Sequence, residues 1–277
     1  AQKVVLKELG MEVDILHHGV NQGVACARNT GLSAARGEYV YSVDADDELA
    51  PNAIELLVDR AQQTGADIIG CEYQLRQGSS LRHIAQPDVT IGAEALRQIF
   101  AGRMKWNLWL FMIRRSLIEA LGSSPFLPGV NMGEDLMLMG KLFHSASSVS
   151  IIHLPLYTYV RSDQQITNVY RPEHWAQVEK NVRELESYLA THASGQELEL
   201  LHFLKLNLKL PLLISTRRED FQRWSVMYAE SNEYILKNKS LSSRTKLLQY
   251  MAAKKQFWFV ILYNKVIMGW LYKVLYR

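Results

Sequence analysis

Apolar and polar positions follow two different rhythms along this chain, and the change falls near residue 171. Before it, short apolar runs alternate with amphipathic stretches. Residues 1–9 read as the end of a helix stopped by Gly10, and Val13–Leu16 as a short strand. After a loop at Asn21 and Gly23, the small-residue stretch 24–36 predicts a helix with Gly37 as its stop. Residues 38–43 (EYVYSV) predict a strand that runs into Asp44-Ala45-Asp46-Asp47. Pro51 suits the first turn of a helix with Ile54, Leu57, Val58 and Ala61 on one face and Gly65 at its end. Strands over 67–75 and 81–85 are joined by a turn at 77–80. A helix over 92–101, a strand near 107–113, a helix over 133–145 and strands near 148–153 and 156–160 complete the series. Such alternation predicts an α/β domain with a mostly parallel sheet. From Pro172 onward the pattern is helical only, with breaks near Gly195, Ser215–Thr216 and Ser240. The expected organisation is therefore an α/β domain over residues 1–170 and an all-helical region over 171–277.

Composition narrows the class without naming a function. With 48% hydrophobic and 21% charged residues over 277 positions, the chain can bury a sizeable core. A disordered chain, a collagen-like repeat and a disulfide scaffold are excluded. Cys26 and Cys71 have no metal-ligand spacing, and so few cysteines fit a reducing, cytosolic setting. The net charge of +3 hides an asymmetry: from Ser231 to Arg277 nine Lys or Arg face one acid, Glu233, whereas the rest of the chain is net acidic. An α/β domain that opens in mid-helix, without an initiator Met, is expected to be a fragment.

The densest chemistry is the acidic cluster at 44–47. Ligands of open α/β sheets collect at the carboxyl ends of strands. Carboxylates this close repel unless a cation or hydrogen-bond donors compensate them, and their hard oxygens suit Mg²⁺ or Mn²⁺ shared with substrate phosphates. A solvated turn capping the next helix explains the same residues without a ligand. A calcium loop is excluded, because its sixth position needs Gly and holds Leu49. His17-His18 lacks partners at ligand spacing and reads as loop.

The cluster has neighbours. Asn21-Gln22-Gly23, Ala27-Arg28-Asn29-Thr30-Gly31, Ala35-Arg36-Gly37-Glu38-Tyr39 and Asp44-Ala45-Asp46-Asp47, in that order, resemble the family 2 glycosyltransferases, nucleotide-sugar enzymes of the three-layer GT-A fold. Gly133-Glu134-Asp135 resembles the family's Glu-Asp motif, and Leu156-Tyr157-Thr158-Tyr159 its closing strand; the likeness runs from Val13 to Thr167. The resemblance implies that Asp44 contacts the nucleotide ribose and that Asp46 holds a divalent metal, Mn²⁺ or Mg²⁺, across the diphosphate. It places Arg28 in the nucleotide pocket and makes Asn21 and Gly23 the loop beside it. Asp135 becomes the catalytic base, with Glu134 supporting. The implied reaction is transfer of a sugar, with inversion, from a nucleoside-diphosphate donor to a glycan or lipid-linked acceptor in bacterial surface polysaccharide synthesis. Without the motif, Glu134 and Asp135 are first-turn acids favoured by a helix dipole, Arg28 is a surface residue, and Asn21 and Gly23 form a plain turn. The family's N-terminal Pro-Val-Tyr-Asn-like strand and Asp-Gly-Ser-like turn have no counterpart here. Near Trp109–Arg115, Phe111 or Met112 stands where the family often places a Lys. Trp106 and Trp109 read as core or pocket wall, and Arg161 as either a phosphate contact or a solvated residue.

The basic tail completes the picture. Residues 257–272 are strongly apolar yet contain Asn264-Lys265, and 16 residues are short for a membrane span, which needs about 20. Taken as one helix, Lys254, Lys255, Lys265, Lys273 and Arg277 fall within roughly a 140° arc. This predicts a peripheral helix over 254–277 lying in a membrane surface, which the family resemblance places at the inner face of a bacterial cell membrane, against the alternative of packing on the catalytic domain or a partner subunit. Nucleic acid is not expected as a partner, since none of its recognition modules is present. Two rivals remain for the whole: a metal-dependent phosphatase or nucleotidyltransferase, and a non-catalytic binding module.

Overall fold

The computed structural model describes residues 12–161, 172–193, 195–215 and 217–275, with side chains described as far as Val266. The elements predicted at 1–10 lie outside this range. Helix α1 (Val24–Ala34) leads to β1 (Tyr39–Tyr41), the short β2 (Glu48–Leu49) and α2 (Ala53–Thr64). The hairpin β3 (Ile68–Gln77) and β4 (Ser80–Ile84) follows, then α3 (Gly92–Phe100), a 3₁₀ turn at Leu108–Leu110, β5 (Phe111–Arg114) and α4 (Arg115–Glu119). Helix α5 (Glu134–Ser145) and the long strand β6 (Val149–Arg161) end the α/β part. The rest is helical: α6 (Pro172–His192), α7 (Gly195–Lys209), α8 (Arg218–Val226), α9 (Ser243–Ala253) and α10 (Phe257–Leu275), with 3₁₀ turns at Leu210–Leu213 and Ala229–Tyr234.

The six described strands form one mixed sheet in the order β1-β5-β3-β6-β2, with β4 beside the outer half of β3. The expectation of mostly parallel pairing holds for the longest ladder, β3 with β6, and fails elsewhere: β1–β5, β3–β5, β3–β4 and β2–β6 are antiparallel. The parallel pair is joined by a long crossover through α3 and α5. The hairpin needs only a tight turn, in which Gly78 takes a φ of +57°. The two strands predicted near 148–160 are one strand bent at Pro155, where its register against β3 shifts between Cys71 and Tyr73. Val13–Leu16 is not a strand. It has no ladder partner among the described residues, and Ile15 and Leu16 are half-exposed.

Helix α1 stops at Ala34, three residues before Gly37, because Ala35 is already extended. Helix α2 ends at Gly65 in the left-handed conformation its sequence predicts, but buries Ala53, Leu57 and Ala61 while Ile54 and Val58 face outward. The run Leu136–Phe143 in α5 is buried on every side, between the sheet, α3 and α6. Its Gly140 lets α6 come so close that an added Cβ would lie 2.7 Å from Leu185. One hydrophobic core runs from Ala25 to Val260, so the change of class near residue 171 does not separate two cores.

The tail departs from a single helix. Lys254 ends α9, Lys255 turns left-handed at φ +59°, and α10 begins only at Phe257. Lys254 and Lys255 therefore do not share the face of Lys265. The inner side of α10 packs on the protein: Val260 is buried, Phe257 stacks on Phe221 at 5.1 Å, and Asn264 Nδ2 donates to the Leu213 carbonyl at 2.6 Å. Asn264 thus satisfies the open end of the Leu210–Leu213 turn, which accounts for a polar residue in so apolar a segment. The outer side leaves Trp258, Leu262 and Val266 exposed beside Lys265. The face predicted for Lys273 and Arg277 lies outside the described side chains.

Candidate active site

Four of the residues singled out by sequence meet at one guanidinium. Arg28 projects from α1, whose first turn is fixed by a side chain from another part of the chain. Asn131 Oδ1 accepts the Ala25 N–H at 3.1 Å, doing the work of an N-cap that Gly23 cannot do. Gly23 itself sits at φ +84°, and a Cβ there would lie within 2.5 Å of the Asn131 amide. Only glycine admits this contact. Asn21 closes the loop by accepting the Gly23 N–H at 2.9 Å. Asn21 and Gly23 therefore shape the start of α1 without themselves reaching the acids.

Arg28 Nη1 donates to Glu134 Oε1 at 2.8 Å and to Asp135 Oδ1, and Nη2 lies 3.4 Å from Asp44 Oδ1. Glu134 and Asp135 open α5 after Gly133, where free N–H groups favour negative charge. Asp135 Oδ2 also accepts the Leu108 N–H at 3.2 Å. The Phe126 ring flanks the guanidinium at 5.7 Å. A cavity of about 440 Å³ between α1 and β1 reaches Arg28 and Asp44.

Burial and charge compete in this cluster. Burial raises the Asp135 carboxyl, and Arg28 and the Leu108 N–H oppose it; the net direction is upward. Glu134 is pushed up to about 7, by burial first and by Asp135 second, against Arg28. Burial alone would lower Arg28, but Asp135, then Glu134 and Asp44, raise it overall. Two acids displaced upward by burial and joined to a guanidinium that lines the cavity are candidates for proton transfer.

The 44–47 cluster divides. Asp44 is half-exposed and Asp46 exposed, whereas Asp47 is tied to β6: Tyr157 Oη donates to Oδ2 at 2.7 Å and the Val160 N–H to Oδ1 at 2.9 Å. Among the described residues no three His, Cys, Asp or Glu side chains form a ready cage for a metal. The hard carboxylates on the rest of the loop are Asp46 and Asp44, the latter with one oxygen 3.4 Å from Arg28. That fits a cation of the Mg²⁺ or Mn²⁺ type completing its shell with substrate oxygens and water.

Asn131 and the Leu108 N–H carry no signal in the sequence, and the tie of Asp47 to β6 carries none either. Trp109 is buried and stacked on Tyr157, the core position its sequence suggested, and Phe111 and Met112 are core as well. Trp106 is half-buried, Arg161 is exposed, and His18 in the preceding loop bonds Thr30 of α1.

Residues 3–118 match the model of glycosyl transferase family 2. The chain is 30% identical over 164 residues to an uncharacterized glycosyltransferase, EpsJ, of Bacillus subtilis, covering 56% of this chain and 47% of that one. It is 24% identical over 163 residues to the succinoglycan biosynthesis protein ExoO of Rhizobium meliloti, covering 56% and 47%. The chain spans about half the length of the curated relatives it matches. Its fold is similar to that of S. aureus TarS, crystallised with UDP-GlcNAc, at a TM-score of 0.65 and 16% identity, over 97% of this chain and 79% of that one.

Proposed function

We propose, from the premise that the chain is a family 2 glycosyltransferase in sequence and GT-A in fold, that it transfers a sugar from a nucleoside-diphosphate donor to an acceptor hydroxyl with inversion. One observation carries the reading: Arg28 joins Asp135, at the head of α5, to Asp44, at the end of β1. A proton acceptor and a loop suited to a diphosphate thus share one cation.

Asp135 would take the proton from the acceptor hydroxyl as that oxygen attacks the anomeric carbon, a contribution of about 10²–10⁴-fold. Arg28 and the Leu108 N–H hold the carboxylate in place and favour its ionised form against burial. Glu134 completes the guanidinium's partners. Asp44 would face the ribose and Asp46 a divalent cation, which when bound neutralises charge on the departing nucleoside diphosphate. One base then suffices for a single displacement. TarS was crystallised with UDP-GlcNAc and with UDP, which favours a uridine nucleotide as the first donor to try. The relatives' names favour a glycan or lipid-linked acceptor in polysaccharide synthesis.

The test is a screen of nucleotide sugars with Mn²⁺, reading nucleoside diphosphate release with and without acceptors. Acceptor-dependent release from one donor is expected. Phosphate release or pyrophosphate exchange instead would replace this reading with a phosphatase or nucleotidyltransferase.

The tail would place this chemistry on the inner face of a membrane. Trp258, Leu262 and Val266 form an exposed stripe with Lys265 beside it and Lys254 and Lys255 at its near end. Apolar area with flanking Lys is the chemistry of a surface that docks on anionic lipid, each Lys adding about 1 kcal/mol. No helix among the described residues is long and apolar enough to cross a membrane. The protein is expected to float with vesicles containing phosphatidylglycerol, and Trp258→Ser with Leu262→Ser to reduce the bound fraction about tenfold. Equal flotation of the variant would remove the lipid assignment.

A further inference from the structure

The acidic loop and the proposed base are built on different elements, yet both are held by the same pair of aromatic side chains. After β1 the chain turns back on itself, with the Asp47 N–H on the Asp44 carbonyl at 3.2 Å. Clustered carboxylates on such a turn repel one another, so something must hold it. Strand β6 does. The Tyr157 hydroxyl accepts the Asp44 N–H at 3.2 Å and donates to Asp47 Oδ2 at 2.7 Å. The Val160 N–H takes the other Asp47 oxygen. The loop then leaves along β6, with Leu49 opposite Tyr157, Glu48 opposite Thr158, and the Ala50 N–H on the Leu156 carbonyl at 2.9 Å.

The other side of Tyr157 leads to the base. Its ring is fully buried and lies on Trp109, 4.3 Å between centroids and 16° from parallel. Tyr73 meets Trp109 edge-on at 5.0 Å from the next strand. Trp109 sits in the 3₁₀ turn directly after Leu108, whose N–H binds Asp135. The contacts close into a circuit: Asp44 to Tyr157, Tyr157 to Trp109, through Leu108 to Asp135, and by Arg28 back to Asp44.

We propose that Tyr157 is a positioning residue that sets the acidic loop at a fixed place relative to Asp135, with Asp47 as its anchor and not a cation ligand. Two features carry this. Each Asp47 oxygen is bonded to β6, one by the Tyr157 hydroxyl and the other by the Val160 N–H, which ties the carboxylate to the strand. The Tyr157 hydroxyl is spent on the loop's backbone and its third carboxylate, with the ring sealed against Trp109. The bend at Pro155 is what brings β6 to this register, since the pairing with β3 slips between Cys71 and Tyr73 before Tyr157 is reached. The inference rests on the proposed function only for what the loop holds; the mechanical part stands without it.

Tyr157→Phe tests both parts in the full chain. The ring and its stack on Trp109 remain, while the Asp44 N–H and one Asp47 oxygen lose their partner. Hydrogen exchange without any ligand is expected to quicken about tenfold or more at residues 44–50, since those amides then open locally. Binding of Mn²⁺ with UDP, read from the Mn²⁺ paramagnetic resonance signal, should weaken about tenfold, the usual scale for losing a group that orients a ligating carboxylate. In turnover, the KM for donor should rise with little change in kcat. Asp47→Asn, which keeps the size of the side chain, should quicken exchange over the same residues, and the double variant should add little to either single one. Unchanged exchange at 44–50 in both single variants would overturn the proposal. Unchanged Mn²⁺-UDP affinity despite faster exchange would overturn its functional half. Failure of the unaltered protein to bind Mn²⁺ with UDP would instead strike the proposed function, and leave the exchange result to decide whether Tyr157 holds the loop.

Discussion

Asp135→Asn should lower kcat by about 10²–10⁴-fold and leave the KM for donor within threefold. The asparagine has nearly the shape of the carboxylate, and its oxygen can still accept the Leu108 N–H now directed at Asp135 Oδ2. Glu134 still binds Arg28 at 2.8 Å, so the guanidinium keeps its place beside Asp44. What is lost is the ability to take a proton. Steady-state release of nucleoside diphosphate with a donor–acceptor pair found by screening provides the measurement; full turnover would remove Asp135 as base. The pH profile of the unaltered enzyme offers an independent reading. A base works deprotonated, and burial raises Asp135, so kcat should climb with pH through a limb displaced above the ordinary carboxylate range. Glu134, pushed up by burial and then by Asp135, contacts the same guanidinium, and the limb therefore belongs to the pair.

Arg28→Met is expected to be the most destabilising single change at the site. Arg28, Glu134 and Asp135 side chains are 14%, 11% and 13% exposed, so solvent screens this cluster little. Removing one member of a buried ion cluster costs about 3–5 kcal/mol, because the remaining charges lose their compensation. Methionine keeps much of the stem against Phe126, which isolates the charge from the packing. The sign with pH is fixed by linkage. Without Arg28 the folded-state pKa values of Glu134 and Asp135 rise further above their unfolded values. The folded protein then binds more protons than the unfolded chain, and stability present below about pH 4 is lost as pH rises through those raised values. The deficit in urea unfolding should therefore be small near pH 4.5 and full at pH 8. An equal deficit at both would show that packing, not charge, is what Arg28 contributes.

Much of this site was legible because its signals are local. Three acids after an apolar run, a small-residue helix carrying Arg28, and Glu134-Asp135 ahead of Leu136 each follow from a few adjacent residues, and the structure brings Arg28, Asp44, Glu134 and Asp135 together. The hairpin of β3 and β4 and the stop at Gly65 were legible for the same reason. Partnerships across the sequence were not. Nothing near Asp47 announces Tyr157, 110 positions away, and nothing near Gly23 announces Asn131. Strand direction was misjudged because alternation of strand and helix does not say which strand lies beside which; β5 enters antiparallel from the 3₁₀ turn at Leu108–Leu110. The tail reads as one helix because neither Lys254 nor Lys255 is a helix breaker. The turn at Lys255 appears only when α9 and α10 pack on the same body.

The bond from Asn264 to the Leu213 carbonyl bears on geometry as well as on satisfaction of a helix end. A lipid-binding segment on a slack linker would act as a tether, leaving the catalytic centre free to tumble over a range of heights. Helix α10 is instead bolted through its inner face to the Leu210–Leu213 turn. That turn continues from α7, and α7 packs on α6, which packs on α5, the helix that begins with Glu134 and Asp135. With Trp258, Leu262 and Val266 on the opposite face, contact with a bilayer would act as a mount. It would hold the proposed base at one height and one tilt above the surface, the arrangement suited to an acceptor that is itself embedded there.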